Sequence, residues 1–425
     1  MTEMDDLVAR DAAAFFHQHG SSPCIGALRA ARGIWLEDME GRRFIDLHGN
    51  TVHHLGHGHP EVAAALKRQL DELAFAPRRF TNAPALSLAE ALLARWPGPP
   101  ARVLFATGGS DAIEIALKLA RVATGRQETI SLEGSYHGHG FGAFGLSSAA
   151  LDPRLGAFLP GRHHVTPYWA GAHGPARMLE EIAGLLATGR IAAVIAEPMR
   201  SSCHVPPADL WPRVRALCDA YGTRLVFDEI PSGLGKTGRF FAFEHFGATP
   251  DLVVLGKALG GGMVPIAAVI GDARLNVAPE LELGHYTHEK NPLTTRAAAT
   301  LLEIIARDDL VARARDAGGR LSSGIAEIAA RAPGVSGVRG LGLLLAVEFD
   351  AAAYGQVPGP AFAEQLVATC FARGLSTTAK GPNAIGLSLP LTVTDAEIAE
   401  VLRRIEAVGN RERLPREASN IPATP

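Results

Sequence analysis

The sequence predicts an α/β protein with two domains: a large one on a mostly parallel, doubly wound sheet, and a smaller α+β one drawn from the N- and C-terminal segments. Three observations predict it. The chain has 425 residues, too many for one hydrophobic core. From about residue 85, short apolar runs bounded by glycine alternate with helical patterns, as strands buried on both faces do. Near residue 315 that alternation stops and a helix, two adjacent strands and two more helices follow.

Taken in order, residues 1–20 read as a short amphipathic helix, and GIWLEDMEGRRFIDLHGN as a hairpin turning at Glu40 and Gly41. Pro60 opens a helix over EVAAALKRQLDELAF, where proline suits the first turn. The large domain then reads RVLFAT, SDAIEIALKLARVA, ETISLEG, IAAVIAEP, LWPRVRALCDAYG, RLVFDE, DLVVLGK and PIAAVIG, and the helix RAAATLLEIIARDD leads out of it. VSGVRG and LLLAVEF are strands of the smaller domain, followed by the helix AFAEQLVATCFARG and a last helix after Thr394. The expected boundaries are 1–60 for an N-terminal segment contributing to the small domain and active site, 61–315 for the large domain, 316–412 for the C-terminal small domain and 413–425 for a loose tail.

Composition narrows the function. Hydrophobic residues at 47% and charged residues at 20% fit a globular enzyme. A net charge of −3 without a basic run argues against a nucleic-acid partner. Cys24, Cys203, Cys218 and Cys370 form no CxxC pair, so no metal site or disulfide framework is expected, and reduced thiols in a cytoplasmic protein fit. The N-terminus lacks the basic start and apolar core of a signal peptide, and no apolar run reaches the roughly 18 residues of a membrane span.

Four strand ends carry candidate chemistry. Lys257, after DLVVL and before a glycine run, places an amine where α/β sheets bind ligands. Asp228, ending RLVFD, suits a carboxylate set against a pyridine nitrogen. Gly109 and Ser110 open a helix whose first N–H groups suit a phosphate. Tyr136, in SYHGHG, has a ring that can stack on a cofactor. Singly, each has a plainer reading: a surface lysine, a turn-capping aspartate, a helix-capping serine, a core tyrosine. His137 and His139 lack a third ligand at metal-binding spacing.

In this order the features resemble the class III (ω-) aminotransferase family of fold-type I pyridoxal-phosphate (PLP) enzymes, over nearly the full length. The matching pieces are DLHGNTVHHLGHGHP, FATGGSDAIEIALKLA, SYHGHG, AVIAEP, VFDEIPSGLGKTGRF, DLVVLGKALGGG and THEKNP. The resemblance implies the fold-type I PLP-dependent transferase fold, with pyridoxal 5'-phosphate held as a Schiff base on Lys257. It also implies Asp228 on the pyridine nitrogen, Tyr136 on the ring beside His137, Gly109 and Ser110 on the phosphate, and Glu197 on the substrate side. Thr287 would reach the phosphate of a neighbouring subunit, making a homodimer the minimum active unit.

Three departures bear on the reaction. Where the family commonly carries a carboxylate-gripping arginine before Pro-Leu-Thr, this chain has Gly386. Pro231 replaces the family's glutamine after DE[VI], and HEKNP brings His288, Glu289 and Lys290 to the dimer seam. Polar and basic residues gather in segments expected to border the substrate: His48, Asn50, His53, His54, Arg78, Arg79, Arg200 and Lys290. As a group they suit a phosphonate or phosphate dianion, although each is singly a commonplace solvated or structural residue.

The pattern is most similar to the (R)-1-hydroxy-2-aminoethylphosphonate ammonia-lyase branch, on the pieces IDLHGNTVHHLGHGHP, AEPMRSSCHVPP, DEIPSGLGKTG and GHYTHEKNP. That implies a lyase of phosphonate catabolism acting on a small aminophosphonate and giving phosphonoacetaldehyde and ammonia. An ω-amine:2-oxo acid aminotransferase is the first alternative. A phospho-lyase on an O-phosphorylated amino alcohol is the second. Lys257 is the first candidate for the acid that assists the leaving hydroxide, and a nearby histidine the second.

Overall fold

The computed structural model describes residues 2–18, 21–22, 24–147, 152–155 and 160–410. The tail expected over 413–425 lies outside the described residues. The chain divides into two compact units, one running to His59 and resuming at Asp316, the other spanning Pro60–Arg315.

The first unit opens with helix α1 (Glu3–Ala14), capped by Thr2, shorter than the segment expected and without a buried residue. Strands β1 (Leu28–Arg32), β2 (Trp35–Asp38) and β3 (Arg43–Asp46) follow, β2 and β3 pairing antiparallel as a hairpin.

The second unit holds helices α2 (Pro60–Glu72) and α3 (Ala83–Leu93), then β4 (Ala101–Ala106), α4 (Gly109–Thr124), β5 (Glu128–Leu132), α5 (Phe141–Gly145) and β6 (Arg162–Val165). Next come α6 (Gly174–Leu186), β7 (Ile191–Ala196), α7 (Leu210–Tyr221), β8 (Arg224–Asp228), β9 (Leu252–Leu255), β10 (Ala267–Asp272) and α8 (Pro292–Arg307). Among the described residues these strands form one seven-stranded sheet in the order β4-β10-β9-β8-β7-β5-β6. Every residue of β7, β9 and β10 is buried, so their apolar runs are unbroken rather than alternating. Helix α4 lays Ala112, Ile113, Ile115, Ala116, Leu117 and Ala120 against this core, and Gly125 ends it at φ 67°.

The sheet is parallel except for β10, which runs antiparallel to both neighbours. The reason is connection length. Residues 256–266 are too few for a parallel crossover, which needs a dozen or more.

The chain then passes through α9 (Leu310–Arg331) into the first unit's β11 (Val335–Leu341), β12 (Leu344–Phe349), α10 (Pro360–Ala372), β13 (Leu375–Ser376), β14 (Ala384–Ser388) and α11 (Asp395–Gly409). Strand β13 pairs parallel with β3, and β11, β12 and β14 form an antiparallel sheet. No helix among the described residues is long and apolar enough to cross a membrane.

Candidate active site

Four adjacent parallel strands of the second unit end on one edge, and each end carries a polar group. Lys257 follows β9, Asp228 ends β8, Glu197 follows β7, and residues 134–137 follow β5. The carboxyl edge of such a sheet is where α/β proteins place ligands.

The acid at the centre is buried. Asp228 Oδ2 lies 2.8 Å from His137 Nδ1, with side chains 4% and 0% exposed, and Asp228 Oδ1 accepts the Ile230 N–H at 3.1 Å. His137 is anchored through its own N–H to Ser147 Oγ at 2.9 Å. Its buried Nε2 has no hydrogen-bond partner. Tyr136 stands beside this pair, exposed, its ring meeting His139 edge-on at 5.4 Å. Burial first, and then the charge of Asp228, raise its phenol above the usual value.

Lys257 is half-buried at φ 46°, a backbone region that disfavours any side chain. It opens a 3-10 turn whose exit runs through Gly261 and Gly262 at φ 68° and 74°. A non-glycine residue held there carries backbone strain that the surrounding packing must offset.

The start of α4 is an open cradle. Its cap residue Gly108 supplies no side-chain hydrogen bond, so the first-turn N–H groups are left for an anion. A Cβ on Gly109 would stand 2.8 Å from Ile230 Cδ1, and one on Gly138 only 2.6 Å from Ser110 Oγ. Ser110 Oγ in turn accepts the His139 N–H at 2.9 Å, tying the turn after β5 to the helix. A phosphorylated aldehyde on a heteroaromatic ring therefore fits these groups: an amine, a buried acid and a helix N-terminus.

Buried Glu197 and partly buried Arg200 form a second pair, with Nη1 2.6 Å from Oε2. Burial pushes the Glu197 carboxyl up, but the charge and hydrogen bond of Arg200 and the Ser201 N–H outweigh it and hold the group below its ordinary value. Arg200 is one of the residues expected to border the substrate; its Nη1 also reaches Ser201 Oγ, and its Nη2 donates to the Gly134 carbonyl at 2.6 Å. Tyr168, which the sequence did not single out, fixes this turn: its hydroxyl accepts the Arg200 N–H and donates to the His204 carbonyl. Nothing in the sequence near Tyr168 announces that role, because its partners lie 32 and 36 residues away.

The PRRFTN and HEKNP segments meet where Asn82 Nδ2 donates to the Lys290 carbonyl at 2.9 Å. Arg78, Arg79 and Thr287 are exposed, and Phe75 meets His288 edge-on at 5.2 Å.

In the first unit, residues 49–51 all have positive φ: Gly49 46°, Asn50 45° and Thr51 62°. Asp46 Oδ1 holds this left-handed turn through the His48 and Gly49 N–H groups, and the His53 ring lies on Gly49, in the space a Cβ would take. His54 is buried, its carbonyl accepting the Leu391 N–H at 2.7 Å. Asp46, His53 and His57 place ligand atoms within 4.8 Å of one another. The two rings stack at 16°, however, so their in-plane lone pairs do not aim at one point, and His57 Nε2 already bonds Asp46 Oδ2 at 2.7 Å. On β14, a Cβ at Gly386 would meet Lys380 Cε at 2.8 Å, so the lysine stem occupies the space of a side chain there.

The class-III aminotransferase family model matches residues 16–408. The chain is 34% identical to the (R)-1-hydroxy-2-aminoethylphosphonate ammonia-lyase of Vibrio splendidus (strain 12B01), over 94% of this chain and 89% of that one. It is also 34% identical to the 4-aminobutyrate aminotransferase of Escherichia coli (strain K12), over 88% and 90%. Among solved structures, taurine:2-oxoglutarate aminotransferase from Bifidobacterium kashiwanohense, in complex with PLP and glutamate, superposes with a TM-score of 0.87 at 25% identity, covering 99% of this chain and 100% of that one. The chain belongs to the class-III aminotransferase family of pyridoxal 5'-phosphate-dependent enzymes.

Proposed function

We propose that the protein is an ammonia-lyase that converts (R)-1-hydroxy-2-aminoethylphosphonate to phosphonoacetaldehyde and ammonia. The observation that carries this reading is Gly386. The position expected to hold a carboxylate-gripping arginine has no side chain, and the stem of Lys380 fills its place. Without a bidentate fork there, a 2-oxo acid acceptor loses its recognition group. The similarity to the Vibrio lyase supports the same reading.

When bound, PLP supplies an electron sink for the carbon bearing the amine. Lys257 Nζ would hold the cofactor's aldehyde carbon and, once displaced, take the proton from the substrate carbon that bears nitrogen. Asp228, steadied by His137, would keep the ring nitrogen protonated. Gly109, Ser110 and the first turn of α4 would take the phosphate, with Tyr136 on the ring and Thr287 serving the neighbouring subunit of a homodimer. Asn50, His54, Arg79, Arg200 and Lys290 are the proposed donors to the phosphonate, and the cytoplasm the proposed compartment.

The transaminase reading is favoured by the equal identity to the Escherichia coli aminotransferase. A panel of aminophosphonates, phosphorylated amino alcohols and ω-amines separates the readings. Ammonia and phosphonoacetaldehyde formed without any 2-oxo acid are expected. Strict dependence on a 2-oxo acid makes the protein a transaminase, and phosphate release makes it a phospho-lyase.

A further inference from the structure

Glu197 lies at the sheet edge between the strands that carry His137 and Asp228. It is only 6% exposed. Both of its hydrogen-bond donors, Arg200 Nη1 at 2.6 Å and the Ser201 N–H at 2.8 Å, land on Oε2. Oε1 is the oxygen left to carry a proton. Arg200 has a fixed backbone, its N–H held by Tyr168 at 3.0 Å, and a side chain 15% exposed. To turn toward an anion at the sheet edge, its guanidinium must leave Glu197 Oε2, Ser201 Oγ and the Gly134 carbonyl, with the chain unmoved. A dianion competes for it, because a doubly charged phosphonate offers three acceptor oxygens and a counter-charge in place of those contacts.

We propose that the Glu197–Arg200 pair is an anion-operated switch: the substrate's phosphonate draws Arg200 off Glu197, and the released carboxyl takes a proton and delivers it to the departing hydroxyl. This rests on the lyase reading. The charged and titratable groups around Glu197 are Arg200, His137 and Tyr168, with Asp228 acting on Arg200. With Arg200 withdrawn, burial opposes the charge of Glu197, against which only the Ser201 N–H and the influence of His137 remain, and a buried carboxylate without its cation takes up a proton.

The step balances. Lys257 Nζ accepts the proton from the carbon bearing nitrogen. The electron pair left behind becomes a carbon–carbon double bond as the adjacent C–O bond breaks, with its own pair leaving on oxygen. Oε1–H of Glu197 protonates that oxygen, water departs, and the carboxylate re-forms its pair with Arg200 when product leaves.

The test is calorimetry on the PLP-loaded enzyme with (difluoromethyl)phosphonate, a dianion at neutral pH that carries no amine. Titrations in two buffers of different ionisation enthalpy give the protons taken up on binding. Wild type should take up about one proton per site. Glu197→Gln should bind the probe without uptake, its fold reported by the visible absorbance of the loaded enzyme. Arg200→Lys should weaken probe binding roughly tenfold or more. Infrared difference spectra should show a protonated carboxyl on binding that Glu197→Gln lacks. Failure of wild type to bind the probe, binding without uptake, or equal uptake in Glu197→Gln overturns the switch. Ammonia release from the hydroxyaminophosphonate without proton uptake sinks the switch and leaves the lyase reading standing. Proton uptake with no ammonia sinks the lyase reading, and the catalytic use of the switch with it.

Discussion

The imidazole of His137 meets the carboxylate of Asp228 across 91 residues of sequence, at 2.8 Å and out of water. His137→Ala removes that bond and leaves a buried carboxylate short of a partner, a loss of about 1–3 kcal/mol. Cofactor retention should fall by roughly 10- to 100-fold, measured by equilibrium dialysis of pyridoxal 5'-phosphate. Retention equal to wild type would remove His137 from the cofactor's support.

Lys257→Ala should abolish the visible absorbance of the loaded enzyme. Because position 257 sits at φ 46°, Lys257→Gly should be more stable than Lys257→Ala by about 1 kcal/mol. Chemical denaturation of the two apo variants checks this. Alanine equal to or above glycine would mean the left-handed backbone relaxes when the lysine is lost.

Arg200→Ala strands Glu197 in a buried site, which costs about 3–5 kcal/mol. The pH dependence follows from the sign of each shift. In wild type the Glu197 carboxyl is held low against burial, so the pair stabilises the fold above the ordinary glutamate range and that contribution fades as pH falls. In Arg200→Ala the unpaired buried carboxyl is raised, so stability is lost as pH rises through its new value. The gap between the two proteins should widen from acid toward neutral pH in thermal melts, and a gap independent of pH would contradict the pairing. Glu197→Leu with Arg200→Met should recover most of the loss.

Tyr168→Phe removes one hydroxyl that serves two backbone groups, the Arg200 N–H at 3.0 Å and the His204 carbonyl at 2.8 Å. The expected cost is about 1–3 kcal/mol in unfolding free energy, with a higher KM for the anionic substrate and cofactor absorbance unchanged. An unchanged KM would confine Tyr168 to stability.

Gly138→Ala places a methyl group 2.6 Å from Ser110 Oγ at φ 122°. It should loosen the phosphate cradle and lower cofactor affinity by roughly tenfold or more, with little change at the Asp228–His137 pair. Wild-type affinity would mean that the turn after β5 does not shape the cradle.

Much of this molecule is written locally. The apolar runs of β7, β9 and β10 announce buried strands because both of their faces are covered, and the placement of Ser110, Glu197, Asp228 and Lys257 follows from where β4, β7, β8 and β9 stop. The direction of β10 was not legible from its composition, which is that of a parallel strand; the shortness of the connection decides it. The N–H groups at the helix start that Gly109 opens are legible as a phosphate site, and the fold adds a constraint on Gly109 itself, the Ile230 side chain against it.

Sequence alone determined the family, the alternation of strand and helix, and the chemical character of each strand end, because those depend on residue type and on neighbours a few positions away. Tertiary structure alone decided which groups are paired and which remain open: His137 with Asp228, Arg200 with Glu197 rather than with solvent, Lys380 across Gly386. Pairing and burial are set by residues that packing brings together from distant parts of the chain, and local pattern carries no record of them.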